Sequence, residues 1–349
     1  MLLKLDTETW FLDEPRQAHW WLIAFLTWGS FFPSTSGQDP FFSQFFNAPV
    51  YMNSAFSGIS EQYNFSLNYR NQAPFFSDLL QVYNSYSFTA DKFYKSYNSG
   101  LGVSFSGSQS GAGLIGTLNG AISYSYRVRL SGENYVRGGM EIGFISRKYG
   151  WNKFLFPDQL APIIQGGAAG TTNELPNDQF SVLQPDFSFG ILFHSPVYYA
   201  GISWKHLNTP DLSILRLRPQ ESRNIPLPLR WSVHGGYKWI LSGGNISASY
   251  LSLNGVYVQQ AALRQLNITA LYKFSRIFAG VGLRHAFQNV DAAILSTGIL
   301  IDHLNIGYSF DWTLSKFGVG NGGNHEVSLR YRLGDPVSEE GKTECYSFY

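Results

Sequence analysis

His194, Ser195, His206, His234, His285 and His325 supply the residue types from which a nucleophile and its base could be built. A serine hydroxyl attacks only when a neighbouring imidazole accepts its proton. No Gly-x-Ser-x-Gly elbow presents such a serine, and Ser195 precedes Pro196 in what reads as a tight turn. Gly111, Gly113 and Gly116 satisfy GxGxxG, but that fingerprint needs a following helix whose N-terminus receives pyrophosphate. An alternating segment from Leu118 follows instead, so these glycines read as a hairpin loop. Asn64, Asn245 and Asn267 match the glycosylation sequon on predicted strands and are discounted. Cys345 is the single cysteine, which excludes an internal disulfide and a cysteine metal cluster and leaves an idle thiol in a tail. The expectation is a chain with no catalytic residue, no cofactor and no metal.

The elements that carry these residues are strands. Between Leu118 and Arg129, Leu118, Ile122, Tyr124, Tyr126 and Val128 alternate with Asn119, Ser123, Ser125, Arg127 and Arg129. Successive side chains leave opposite faces of a strand, so this segment separates an apolar face from a charged one. A soluble sandwich and a membrane barrel with a wet interior both produce such a pattern. Composition favours the barrel: charged residues make up 14% of the 349, well below the usual quarter, while aromatics reach 17%. No run of about 20 apolar residues is present to form a spanning helix, whereas a barrel strand needs only about ten residues. A net charge of +1 with no clustered basic face gives no reason to expect nucleic acid.

About fourteen alternating segments are predicted between residues 61 and 333, an even number as closed bacterial barrels require. The predicted gaps at 91–96, 130–134, 194–196, 242–244, 275–276 and 302 are short, as periplasmic turns are. Gaps at 150–182, 208–228, 254–264 and 313–323 are long, as external loops are. Two outward gaps, 108–113 and 288–290, are short and weaken the alternation. With apolar residues outward, the lumen-facing set is Arg127, Arg129, Arg137, Glu141, Arg147, Arg230, Lys238, Lys273, Arg284, Asp311, Arg330 and Arg332. A mainly basic interior fits either an anion-favouring passage or a salt-bridged, plugged lumen.

Trp20–Phe32 is a short apolar run followed by small residues, which predicts a signal peptide over 1–37 with cleavage after Gly37. The leader before it carries Asp6, Glu8, Asp13 and Glu14 against Lys4 and Arg16, the reverse of a basic n-region, as a start codon assigned too far upstream would explain. The remaining divisions are an N-terminal periplasmic or plug segment at 38–60, the barrel at 61–333 and a periplasmic tail at 334–349.

Five stretches carry a family resemblance: QDPFFSQFFNAPVYMNSAFSG at 38–58, YRNQ at 69–72, GWNKFLFPDQL at 150–160, IPLPLRWSVHGGYKW at 225–239 and NHEVSLRYRL at 324–333. In order and spacing they resemble the PorP/SprF family of the type IX secretion and gliding machinery. The acidic leader and the tail after Leu333 depart from that pattern. The resemblance implies an all-β, fatty-acid-transporter-like outer-membrane barrel of a Gram-negative bacterium, without enzymatic activity. It further implies three kinds of partner: secreted adhesins or their C-terminal secretion domains, a peptidoglycan-binding lipoprotein, and the periplasmic ring and motor components. Outer-membrane lipid surrounds such a barrel.

The loop from Gly150 to Val182 is the candidate partner surface, with Trp151, Phe154, Phe156, Asp158 and Gln159, because aromatics beside a few polar groups are what protein interfaces use. The same aromatics suit an interfacial girdle or a lumen plug equally well. A passive or hydrophobic-solute transporter is the alternative function.

Overall fold

The computed structural model describes residues 39–334 except 73, 75–82, 151–158, 160–180, 214–225, 243–248, 288 and 315–321. Fourteen strands form: β1 Tyr63–Gln72, β2 Tyr83–Tyr94, β3 Ser99–Ser110, β4 Ile115–Ser131, β5 Asn134–Tyr149, β6 Ser181–His194 and β7 Tyr198–Lys205. The rest are β8 Arg230–Ser242, β9 Ser249–Gln260, β10 Leu263–Phe274, β11 Ile277–His285, β12 Val290–Ile301, β13 Leu304–Thr313 and β14 Asn324–Leu333. Each pairs antiparallel with its sequence neighbours, and β1 pairs with β14 from Tyr63↔Leu333 to Gln72↔Asn324, which closes the barrel. Closure leaves no strand edge unpaired, the condition for sheet to cross lipid.

The outer wall is apolar. Tyr63, Tyr126, Tyr237, Trp239, Tyr272 and Tyr331 are exposed toward one end, and Tyr69, Tyr86, Phe287 and Trp312 toward the other. Leu67, Val103, Ile122, Ile142, Val281 and Leu295 lie between them. An aliphatic band between two aromatic girdles is the lipid-facing surface of an outer-membrane barrel. The turns at 95–98, 132–133, 195–197, 275–276 and 302–303 mark the periplasmic end, and the links at 150–180 and 206–229 mark the outer end.

One connection differs from its expected form. The sequence pattern places a long external loop at 254–264, yet β9 continues to Gln260 and only residues 261–262 join it to β10, with Ala261 at φ 50°. The cause is that Val256 and Val258 point inward and are buried, so β9 is apolar on both faces and the alternation that reveals a strand disappears. Gly111–Gly113 forms a tight 3-10 turn between β3 and β4, a hairpin connection with no phosphate-binding helix after it.

Candidate functional site

The inner faces of β1 to β4 carry small polar residues: Asn64, Ser66 and Asn68, then Ser85, Ser87 and Thr89, then Ser104, Ser106 and Ser108, then Ser123 and Ser125. Small side chains leave room at the axis, and residues 39–60 occupy it. Phe45–Asn47 and Ser54–Phe56 are 3-10 turns and Pro49–Met52 is one helical turn. Pro49 opens its turn where the missing N–H costs no hydrogen bond. Phe45, Phe46, Val50, Met52, Ala55 and Phe56 form one buried cluster with Leu192, Tyr199, Val256, Val258, Leu271 and Phe278 of the wall. Phe56 meets the Tyr199 ring edge-on at 5.8 Å.

Two wall glycines make one close approach possible. Gly139 and Gly190 pair across β5 and β6, and a Cβ on them would lie 2.2 Å from Ala55 N and 1.8 Å from Asn53 Oδ1. Asn53 uses that notch to bind the wall. Its Nδ2 donates to the Ile191 carbonyl at 3.1 Å, while its Oδ1 accepts from Ala55 N–H at 2.8 Å.

At the outer end the segment is clamped by charge. Asp39 Oδ2 lies 2.6 Å from His206 Nε2 and 3.4 Å from Arg230 Nη1, and His206 Nδ1 lies 3.0 Å from Asp186. Both imidazole nitrogens face carboxylate acceptors, and only the imidazolium has two N–H donors to give. Burial alone would lower the His206 pKa, but the charges and hydrogen bonds of Asp39 and Asp186 outweigh it and hold the group up at about 9. Burial likewise opposes charge on Asp39, yet His206, Arg230 and Lys205 keep it below the ordinary carboxylate range. Tyr51 is pushed up by burial, and Arg230 only partly offsets this.

Beside this clamp, Arg70 binds Asp311 at 2.8 Å and Glu326 at 3.2 Å, while Arg284 binds Asp311 and Asp291 at 2.6 Å each. Arg70, Asp311 and Glu326 are almost wholly buried. The segment completes the network: Ser43 N–H and Gln44 N–H donate to Glu326 at 2.7 and 2.8 Å, Ser43 Oγ donates to Asp311 at 2.6 Å, and Arg70 Nη1 donates to Ser43 Oγ. Charges buried this deeply persist only when paired and hydrogen-bonded, so the segment is a structural member of the network.

At the inner end the backbone is held. Gly58 N–H donates to Asp91 at 2.8 Å, Arg137 Nη2 donates to the Gly58 carbonyl at 2.7 Å, and Ser125 Oγ donates to the Ser57 carbonyl at 2.6 Å. The chain therefore enters the lumen at the outer end, descends to the periplasmic end and turns into β1.

Arg137, Glu141, Arg147, Arg230, Lys238, Arg284 and Arg330 are buried on the inner face. Arg127 and Arg332 are half-buried there, with the Arg127 guanidinium 4.1 Å from the Phe93 ring. Arg129 is exposed past the lumen at the periplasmic turn, donating to the Gly132 carbonyl at 2.7 Å, because β4 outruns the barrel wall. Trp151, Phe154, Phe156 and Asp158 lie outside the described residues, as does Asn245, and Gln159 is half-buried. Ser195 Oγ accepts from Tyr198 N–H inside its turn, far along the barrel from the His206 carboxylate chain. Sequence reading missed Asp39, Arg70, Asp186 and Glu326 as lumen residues. Alternation carried a signal for three of them, since Arg70 shares the parity of Asn64, Ser66 and Asn68, Asp186 that of Ser188, and Glu326 that of Ser328 and Arg330.

Comparison with solved structures gives barrels at low identity. A Pseudomonas putida toluene transporter, TodX, matches with TM-score 0.49 and 10% identity over 83% of this chain and 95% of its own. The monoaromatic hydrocarbon channel CymD matches with TM-score 0.46 and 12% identity over 84% and 94%. The Acinetobacter baumannii outer membrane protein Omp33 matches with TM-score 0.41 and 7% identity over 78% and 99%. None of these likenesses carries a functional argument. No curated protein sequence matches the chain. A family model does, over residues 34–331, and it spans the lumen segment and nearly the whole barrel. With a closed barrel and two girdles already placing it in the outer membrane of a Gram-negative bacterium, the chain belongs to the PorP/SprF family of type IX secretion system membrane proteins.

Proposed function

We propose that the chain is a non-enzymatic anchor of the type IX secretion and gliding machinery. It holds a secreted adhesin, through the adhesin or its C-terminal secretion domain, on the outer loops. On the periplasmic side it meets a peptidoglycan-binding lipoprotein and the ring and motor components. The observation that supports this reading is the filled lumen: residues 39–60 are clamped by buried ion pairs at one end and by backbone hydrogen bonds at the other. A barrel filled by its own chain is a rigid post, which suits holding a partner better than passing a solute.

The loop at 150–182 presents Trp151, Phe154, Phe156, Asp158 and Gln159 for the adhesin contact. Deleting residues 152–180 in the native bacterium is expected to release adhesin into the medium while the barrel keeps its heat-modifiable migration. Full retention of adhesin would count against this loop. If retention persists and the purified chain takes up apolar solutes, the transporter reading replaces the anchor.

A further inference from the structure

The outer clamp leaves a cation over. Arg147 on β5 is 9% exposed, faces the lumen and forms no ion pair among the described residues. Its Nε has no hydrogen-bond partner there. The outer-end carboxylates have partners of their own: Asp39 and Asp186 in His206, Glu141 in Lys205 at 3.6 Å, Asp311 and Glu326 in Arg70, and Asp211 in Ser213. Arg147 acts electrostatically on the Tyr83 phenol, a group uncharged near neutral pH, so that contact leaves the cation uncompensated. On the β6 side it is paired in register with Val182, which packs on the buried apolar cluster of Ile145, Leu212 and Leu227 and offers no counter-charge. A charge buried without a partner is costly, so an anion is what this position lacks.

Hydroxyls lie on the other side of Arg147. The strand register places it beside Thr117 on β4, Thr117 beside Ser108 on β3, and Ser108 beside Ser85 on β2. Ser85 and Ser108 are buried on the inner face, and Thr117 has the parity of Ser123 and Ser125. With strands about 4.8 Å apart, an inward guanidinium on β5 is within reach of hydroxyls on the next two strands. Next along the same strands, Ser104, Ser106, Asn119 and Glu141 line a cavity, so the row borders open space. The row offers one positive charge and a line of O–H donors. One uncompensated charge matches a monoanion, whereas a phosphate near two charges would keep one unpaired close to Asp39, Asp186 and Glu141. The guanidinium fork presents two parallel N–H groups, the geometry that a carboxylate accepts. We propose that Arg147, Thr117 and Ser108 form a carboxylate-binding site at the outer mouth of the lumen, open to a small free carboxylate or to the carboxylate of a polypeptide. This proposal is independent of the anchoring role.

Proton line broadening of acetate by the full-length chain in lipid nanodiscs tests the site, with acetamide as the uncharged control. Acetate is expected to broaden and acetamide to stay sharp. Arg147→Gln should weaken acetate binding about tenfold or more, the worth of a charge-assisted hydrogen bond. Arg147→Lys should weaken it less, because the charge stays while the fork is lost. Arg129→Gln removes the same charge at the periplasmic turn and should leave binding unchanged. N-acetyl triglycine, whose one charge is its terminal carboxylate, separates the two sources. Tighter binding than acetate identifies a polypeptide carboxylate, and exclusion of the peptide with acetate still bound identifies a small free one. Binding that Arg147→Gln leaves unchanged, equal binding of acetamide, or no binding of either carboxylate overturns the proposal. If Arg147→Gln fails to fold, Thr117→Val combined with Ser108→Ala should weaken acetate several-fold, and an unchanged affinity there overturns it as well.

Discussion

The two ends of the lumen hold the same segment by different means. At the outer end nearly every buried charge has a counter-charge: Asp39 with His206 and Arg230, Arg70 with Asp311 and Glu326, Arg284 with Asp311 and Asp291. At the inner end the segment is held through backbone atoms, by Asp91, Ser125 and Arg137, within a mainly cationic mouth. Side-chain ion pairs depend on protonation and on both partners being present, so mutation or pH can open the outer clamp.

Substitution of Arg70 should break this contrast most strongly. Arg70→Ala leaves Glu326 buried without its ion-pair partner and Asp311 with Arg284 alone, a loss of about 3–5 kcal/mol for a broken buried pair. Phe41 to Met52 should then become open to protease in the folded barrel while Ser57 and Gly58 stay protected. Equal exposure at both ends would remove the distinction.

Gly139→Val attacks the middle of the segment. The new side chain meets the Ala55 backbone, and overpacking of this kind costs about 1–3 kcal/mol. Hydrogen exchange should speed at Asn53 to Phe56 first, and unchanged exchange there would show that the notch is not a contact.

A pH response is expected from the outer clamp. His206 is raised, so its contribution is full below its ordinary value of 6.5 and fades as pH rises through about 9. Asp39 is lowered, so its contribution is present above its ordinary value of 3.8 and fades as pH falls below it. Amides near Phe41 and Phe42 should therefore be best protected between about pH 4 and 9. Asp39→Asn should flatten both limbs, and a profile unchanged by that substitution would contradict the assignment.

The smallest effect is expected at Arg129. It is exposed at the periplasmic turn, so Arg129→Ala should shift stability by within about 0.5 kcal/mol. A larger loss, read from the urea midpoint, would mean that the inner rim contributes more than its exposure implies.

The wall was legible where lipid and interior differ in polarity. In β4, Ile122, Tyr124 and Tyr126 against Ser123, Ser125 and Arg127 announce both strand and face. The same logic failed in β9, where Val256 and Val258 face the aromatic residues of the lumen segment and both sides are apolar. The outer clamp was illegible for another reason. Asp39 and His206 are 167 positions apart, and nothing local to either residue marks the other as its partner. His206 offered itself as a base by residue type, and its surroundings make it a fixed cation between two carboxylates.

The anchoring role is tested most directly by affinity purification of the tagged full-length chain from gently solubilised native outer membrane, with mass spectrometry of what accompanies it. A large secreted adhesin together with a peptidoglycan-binding lipoprotein is the expected recovery. Recovery of the barrel alone, from membranes in which both proteins are present, would contradict it.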